Sequence, residues 1–355
     1  MSVSVFDHPI LSGLVGDEAF AALFSVAAEL AAILRFETAL AEAEAEENVI
    51  SGEAAEAISA AVQQFKPDVA ALSKGIARDG VIIPALLEQL RRKLDTKHGA
   101  ELHFGATSQD PIDTGLAMRL SEAITLLGTR LDQVIESLDA LERRDGEVEV
   151  MAHTRMQAAI PVTAARKIAS WREPLMRHRA RLEIVRKSVT ILTFGGAAGT
   201  LDKLGEKGPA VAARLARKLG LNLVAHARHS ERDGIADFAS FLSLVTGSLG
   251  KMGQDVSLMA QNEMGEVRLA EGGGSSAMPH KQNPVKAEIL VALARFNATL
   301  ISGMHEAMVH ENERSGATWT LEWMLLPQMV VTTGAALRIA DELAGGIMFV
   351  ATNKP

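Results

Sequence analysis

The sequence predicts an all-α protein, a long-helix bundle with a smaller N-terminal helical domain. Three observations support this prediction. Aromatic residues make up only 4% of the chain and Tyr is absent, a composition that disfavours β-sheets. Apolar residues recur at alternating steps of three and four over stretches longer than ordinary surface helices. Only residues 147–151 have the pattern of a strand, and that run is short.

The predicted helices follow from this periodicity. Residues 235–259 keep one apolar face through about seven turns, and residues 116–141 do the same. Further helices are expected over residues 20–47, 162–190, 209–219, 284–310 and 322–343. Loops are expected where Gly and Pro cluster, at residues 66–68, 79–84, 195–199 and 272–274.

These elements predict three regions and an oligomer. We expect an N-terminal helical domain over residues 1–105, a central long-helix bundle over 106–345 and a tail over 346–355. The apolar face of residues 235–259 is longer than a monomer of this size readily covers. An exposed face of that length would favour association, so we expect a homotetramer.

Composition limits the classes of partner and cofactor. The chain has 36 basic and 44 acidic side chains, a net charge of −8, which disfavours binding to nucleic acid or to an anionic membrane. Cys is absent and the first residues lack a signal-peptide pattern, so we expect a cytoplasmic protein. No metal-ligand spacing or phosphate-binding glycine pattern is present, so we expect no metal and no cofactor.

Residues 272–284, which read GGGSSAMPHKQNP, are the strongest candidate for a catalytic segment. Three glycines precede two hydroxyl side chains, and a lysine and an asparagine lie just before a proline-led helix, where developing negative charge is stabilised. A flexible polar linker would explain the glycines and serines. It would not explain the Met, Pro, Lys and Asn beside them.

This segment resembles the signature G-S-S-x-M-P-x-K-x-N-P of the fumarase/aspartase superfamily. The resemblance implies that Ser275 transfers a proton at the carbon next to a carboxylate. It also implies that Lys281 and Asn283 stabilise the resulting carbanion. It further implies that Ser276 and Met278 bind substrate and that Glu288 supports the site.

A second segment, residues 103–114, precedes one of the long helices. Its hydroxyl and carboxyl side chains, at Thr107, Ser108 and Asp110, can cap the start of that helix, and a capped helix with a surface histidine is the simpler interpretation. The segment also resembles the superfamily block H-x-G-x-T-S-x-D. That resemblance implies substrate binding by His103, Thr107 and Ser108.

A third segment, residues 153–161, resembles the superfamily block G-R-T-H-x-Q-x-A-x-P. Thr154 and Gln157 match it, and the resemblance implies that they bind substrate. Arg155 stands where the superfamily has its catalytic histidine, and a guanidinium does not exchange protons near neutral pH. The reaction is therefore expected to differ, with Arg155 binding substrate. An inactive homologue is the alternative.

Two further arginines lie in regions that approach the active site in this superfamily. Arg228 and Arg314 are accordingly expected to bind substrate carboxylates through paired hydrogen bonds. Taken singly, such arginines are more often solvated or ion-paired.

The missing histidine also bears on the reaction. When water or an amine adds to the substrate or is eliminated from it, a side chain must accept or donate a proton. A carboxylate is already ionised and needs no such transfer. The resemblance therefore implies a cycloisomerase that adds one carboxylate of a small unsaturated tricarboxylate across a conjugated double bond, forming a lactone. An adenylosuccinate lyase-like enzyme is the alternative within the fold. Superfamily members usually add a C-terminal helical domain, which we do not expect here, and build each active site from several chains.

Overall fold

The structure, a computed structural model, describes residues 4–270, 272–274, 278 and 282–351. The N-terminal third contains helices α1 Ser12–Val15, α2 Glu18–Ala22, α3 Val26–Glu46, α4 Gly52–Gln63, α5 Val69–Asp79, α6 Ile83–Arg91 and α7 Thr96–Glu101. The remainder contains α8 Gln109–Asp145, α9 Ala164–Val189, α10 Gly208–Leu219, α11 Asp233–Met259, α12 Val285–Glu306 and α13 Gly316–Gly346. The prediction of an all-α bundle is confirmed.

The main core lies between the long helices α8, α9, α11, α12 and α13. Helix α11 is central, since it packs against α9, α12 and α13. Its apolar face, which includes Phe238, Leu242, Leu249 and Val256, is at most 1% exposed. Burial of each such side chain contributes about 1.5–3 kcal/mol to folding, so this face is a main source of the bundle's stability.

That observation corrects the argument from the apolar stripe. Residues 238–259 of the stripe are buried within a single chain, because three helices of the same chain cover them. The stripe therefore gives no reason for association. Helix α12 is the more exposed element, since only 28% of its most apolar window is buried.

By length and hydropathy alone, α12 could cross a membrane, with a mean hydropathy of 1.3 over that window. It packs on α11 and α13 through one face that includes Ala287, Leu290 and Leu293. A helix of a soluble bundle passes the same length and hydropathy test.

The helix predicted over residues 20–47 is interrupted near its start. Helix α2 ends at Ala22, and a new helix begins after Ser25, whose hydroxyl accepts a hydrogen bond from Ala28 N at 3.2 Å. Serine is a favoured N-cap, so this local hydrogen bond competes with continuation of the helix. Helices α10–α12 lie within a few residues of the expected segments, whereas α8 begins seven residues early and α13 six residues early.

Two short antiparallel sheets complete the fold. Strands β1 Glu149–Thr154 and β2 Gln157–Thr163 form a hairpin, so the helix predicted from residue 162 begins at Ala164. Strands β3 Val267–Leu269 and β4 Ile347–Phe349 pair beneath the bundle end. Part of the expected tail therefore forms a strand. The predicted division at residues 105 and 106 stays a prediction.

Candidate active site

The start of α8 is organised by the buried carboxylate of Asp110. It accepts hydrogen bonds from Thr107 N at 2.9 Å and from Gly195 N and Gly196 N at 3.0 Å, and it lies 2.7 Å from Nε2 of His229. Helix capping was expected from Thr107, Ser108 and Asp110, but Ser108 at the N-cap position makes no side-chain capping bond. Asp110 instead fixes the backbone of the segment before the helix.

One turn further along α8, Asp113 joins three helices. Its carboxylate pairs with Arg232 at 2.6 Å and accepts a hydrogen bond from Trp319 Nε1 at 3.0 Å. Arg232 also donates to Glu322 at 2.9 Å, and its side chain is only 5% exposed. Although burial alone would lower the pKa of Arg232, the charges of Asp113 and Glu322 raise it further above its usual range. The network fixes α8, α11 and α13 in position around this end.

Both predicted substrate-binding arginines lie at the same end. Arg314 donates from Nε to Gln109 Oε1 at 2.7 Å, and Gln109 is the first residue of α8. Arg228 is half-buried, lies 3.9 Å from Glu231 and lines a cavity of about 30 Å³ beside Asp113. The structure therefore brings Arg228 and Arg314 together with the His103–Thr114 segment.

His103 has an unusual backbone and a buried partner. Its φ of 62° lies in the left-handed region, which is uncommon for a residue with a side chain. Its Nδ1 lies 2.7 Å from Oε1 of Glu37 on helix α3, and the side chain of Glu37 is fully buried. Glu37 was not predicted from the sequence, although its position between Ile33 and Leu40 on the buried face of α3 is a usable signal.

Arg155 lies at the tip of the β1–β2 hairpin. Arg155 and Met156 have φ values of 48° and 67° between the paired residues Thr154 and Gln157, which defines a two-residue type I′ turn. Asn and Gly usually occupy such turns. Thr154, Arg155 and Gln157 are exposed at the tip of the hairpin.

A cleft of about 620 Å³ lies beside this hairpin. Four basic and two acidic side chains line it, which gives a net charge of +2 without His. They are Arg155, Arg166, Lys167, Lys251, Asp255 and Glu266. Lys251 pairs with Asp255, and Lys167 lies 3.4 Å from Glu266. Among the described residues, Arg155 and Arg166 have no ion-pair partner. Arg166 was not predicted, because its sequence context matched no quoted motif.

Much of the signature segment lies outside the described residues, including the predicted site residues Ser275, Ser276 and Lys281. At its base, Gly273 and Asn283 exchange two backbone hydrogen bonds of 2.9 Å, which bring the two ends of the segment together. Met278 is 43% exposed, and Glu288 is exposed in the first turn of α12. An acidic residue is favourable at that end of a helix.

Within one chain, the described parts of the three segments lie at different ends of the bundle. Helix α8 has 37 residues and separates Ser108 from the hairpin by about 55 Å, at about 1.5 Å per residue. Lys286, just after the signature segment, pairs with Glu342 near the end of α13, whereas Glu322 lies on the same helix at the Asp113 end. The hairpin and the described residues at the end of the signature segment therefore lie far from Thr107 and Ser108.

Within the described residues, no group of three or more His, Asp and Glu side chains is placed to hold a metal ion. The absence of a metal and of a cofactor stays a prediction of the sequence.

Comparison with known proteins identifies the class. A model of the lyase family matches residues 17–296. The 3-carboxy-cis,cis-muconate cycloisomerase of Pseudomonas aeruginosa is 41% identical over 332 residues, covering 92% of this chain and 72% of the relative. The chain therefore belongs to the lyase family, as the resemblance to the fumarase/aspartase superfamily predicted.

Solved structures agree with this placement. The 3-carboxy-cis,cis-muconate lactonizing enzyme from Pseudomonas putida matches with a TM-score of 0.91 and 37% identity, over 96% of this chain and 77% of that one. A fumarate lyase from Mesorhizobium sp. BNC1 matches with a TM-score of 0.88 and 35% identity, over 94% of this chain and 76% of that one.

Proposed function

We propose that this protein is a lactone-forming cycloisomerase that converts 3-carboxy-cis,cis-muconate to a carboxymuconolactone. The observation that carries this proposal is its 41% identity to a cycloisomerase of that name over 92% of the chain. We propose that it acts in the cytoplasm, in the breakdown of protocatechuate through the β-ketoadipate pathway.

In the proposed reaction one substrate carboxylate attacks the conjugated double bond, so that a C–O bond forms and a carbanion develops next to another carboxylate. Lys281 and Asn283 stabilise this charge, and Ser275 delivers a proton to the carbon. No leaving group departs, so the product is an isomer of the substrate. The attacking carboxylate is already ionised at neutral pH and needs no base.

The geometry of the hairpin supports this chemistry. Arg155 occupies the turn where a proton-transferring histidine is expected from the superfamily, and it lines a cleft with a balance of +2. A guanidinium holds a carboxylate through two parallel hydrogen bonds but does not transfer protons. Arg155 and Arg166 together are suited to bind a substrate that carries three negative charges.

The separation of the segments supports a homotetramer with active sites shared between chains. Thr107 and Ser108 precede α8 and the hairpin follows it, and the two ends of this helix are about 55 Å apart, so a site that uses both ends needs more than one chain. Helix α12, with its apolar and largely exposed surface, is a suitable contact surface for that assembly. In this proposal the exposed hairpin completes the site of another chain.

A spectrophotometric assay tests the proposed function. Lactone formation removes the conjugated diene, so the purified protein should decrease the ultraviolet absorbance of 3-carboxy-cis,cis-muconate, and Ser275→Ala should abolish most of this activity. Adenylosuccinate and fumarate serve as competing substrates. Faster turnover of either than of the diene would contradict the proposal. No turnover of any of the three would favour an inactive homologue.

A second candidate is a β-eliminating lyase of the adenylosuccinate lyase type. The similarity to the fumarate lyase from Mesorhizobium, at 35% identity, favours it. Arg155 argues against it, because elimination of an amine or water needs a proton donor. The same panel of substrates distinguishes the two candidates.

A further inference from the structure

A buried ion pair links the small N-terminal helices to the predicted substrate-binding segment. The carboxylate of Glu37 lies 2.7 Å from Nδ1 of His103, and the two side chains are 0% and 10% exposed. The residues are 66 positions apart in sequence. Nε2 of His103 makes no hydrogen bond to any described residue. Glu37 therefore holds the ring at Nδ1, and Nε2 is left to bind a ligand.

The charges around His103 favour its protonated form. Burial lowers the pKa of His103, but the negative charges of Glu37 and Asp110 outweigh burial, so the pKa is raised above its usual value. Arg91, on helix α6, acts in the opposite direction. A protonated ring donates from both nitrogens, one to Glu37 and one outward.

A second buried carboxyl group lies near the pair and does not compete for the histidine. Burial, together with the charges of Glu37 and Glu101, raises the pKa of Glu44 to about 9. Glu44 is therefore neutral at neutral pH, and its carboxyl oxygens have no hydrogen-bond partner among the described residues. Glu37 remains the charged partner of His103.

The ring is linked to the predicted carboxylate-binding hydroxyls through Asp110. His103, Thr107 and Ser108 belong to one segment, and Asp110 both influences His103 and fixes the backbone of Thr107. We propose that Glu37 is a positioning residue that holds His103 as a cation, so that Nε2–H binds a carboxylate of the substrate. This inference rests on the proposed function for the class of ligand, a polycarboxylate.

Two variants on helix α3 test the proposal. Glu37→Gln removes the charge but keeps the size of the side chain. Glu42→Gln is the matched control, since Glu42 is half-exposed and pairs with Lys218. Nuclear magnetic resonance of ¹³C-labelled histidine, with His103 assigned from His103→Gln, should show its pKa falling by at least about one unit in Glu37→Gln. The control should leave it unchanged.

Binding of propane-1,2,3-tricarboxylate, measured by calorimetry, does not depend on turnover. At pH 7.5 the dissociation constant should rise about tenfold in Glu37→Gln, since a charge-assisted hydrogen bond is lost. At pH 5.5, where the variant histidine regains its proton, the difference should narrow. A purely structural role for Glu37 would not give this dependence on pH.

An unchanged titration of His103 in Glu37→Gln, or unchanged binding at pH 7.5, would overturn the inference. If the variant does not fold, a His103 that titrates below 6.5 in the unmodified protein would overturn it as well. Failure of the proposed function would give a different result from failure of this inference. In that case 3-carboxy-cis,cis-muconate is not turned over, while the effects of Glu37→Gln on titration and binding persist.

Discussion

Arg155 combines an exposed guanidinium with a backbone in the left-handed region, where a side chain costs about 1–3 kcal/mol. Glycine would avoid that cost. The turn instead has Arg, and the adjacent cleft carries excess positive charge. The combination supports the proposal that Arg155 binds an anion, which stays a prediction from the motif.

We predict that Arg155→Lys weakens catalysis noticeably, about tenfold in kcat/KM, and that Arg155→Ala weakens it further, because lysine cannot reproduce paired hydrogen bonds to a carboxylate. Most of the loss should fall on KM, and no new ionisation near neutral pH should enter the rate profile. Steady-state kinetics with 3-carboxy-cis,cis-muconate measure this. Arg217→Ala, on the exposed surface of α10, is the control.

A gain of lyase activity on restoring histidine at position 155 would contradict this prediction. If Arg155→His improved cleavage of adenylosuccinate beyond the rate of lactone formation, Arg155 would be an incidental replacement in a lyase. The cycloisomerase assignment would then be wrong.

Glu44 predicts a dependence of stability on pH. Its pKa is raised from 4.5 to about 9 in the folded protein, so the unfolded chain loses this proton more readily. The contribution of Glu44 to the free energy of unfolding is therefore fully present below pH 4.5 and falls as the pH rises to about 9. Glu44→Gln, which has no such proton, should be more stable than the unmodified protein at pH 8, by at least about 1 kcal/mol.

Urea unfolding at pH 5 and pH 8 measures this difference, which should be larger at pH 8. Glu42→Gln, on the exposed side of the same helix, should not show such a trend. A Glu44→Gln variant that loses stability equally at both pH values would contradict the assignment of a neutral Glu44.

At the scale of single residues, the motifs predicted His103, Thr107, Arg155 and Arg314 as site residues, and these lie in clefts or beside the start of α8. Their partners could not be predicted in the same way. Glu37 contacts His103 across 66 positions, and only the folded arrangement of α3 and α8 brings them together.

At the scale of elements, the close approach of α11 and α12 depends on glycine. A Cβ at Gly253 would overlap the carbonyl oxygen of Ala287 and lie 2.9 Å from Cβ of Leu290. Gly247, also on α11, has no heavy atom within 4 Å of the same position. Gly250 is similarly close to α12, since a Cβ there would lie 2.5 Å from Cβ of Ala294. The contact with α12 therefore requires glycine at positions 250 and 253 but not at position 247.

We predict that Gly253→Ala destabilises the protein by about 1–3 kcal/mol, because the two helices must separate. Gly247→Ala should stabilise it by about 0.5–1 kcal/mol, because alanine is the better helix former. Thermal and urea unfolding of both variants check this pair. Equal effects of the two substitutions would contradict the close packing of α11 against α12.

The periodicity of the sequence predicted the long helices well, because each buries one continuous apolar face. The hairpin was only partly predicted. Residues 147–151, which overlap β1, have a strand pattern, whereas the turn and β2 escaped prediction for a physical reason. Its turn, Arg155-Met156, lacks the usual Asn or Gly, and β2 is almost wholly exposed, so neither turn chemistry nor alternating burial marks it. Contacts from elsewhere fix its base instead, since Glu266 accepts a hydrogen bond from Met151 N at 3.0 Å.

For the molecule as a whole, the bundle was predicted correctly from the sequence, but the apolar stripe was a wrong reason to expect association. The face of α11 is satisfied within the chain, and the case for an oligomer depends on the distance between segments. That distance could not be foreseen from the motifs, whose order along the chain does not reveal which end of a helix they occupy.

The mixing of inactive variants tests the shared site most directly. In a homotetramer, subunit exchange between equal amounts of Ser108→Ala and Arg155→Ala chains should restore about a quarter of the sites. These are the sites that take the Ser108 segment from an Arg155→Ala chain and the hairpin from a Ser108→Ala chain. Ser108→Ala mixed with Thr107→Ala should restore none, because both changes lie in the same segment. Recovery of lactone formation only in the first mixture is the predicted result. No recovery despite demonstrated exchange, or full activity of a dilute monomer, would contradict the account.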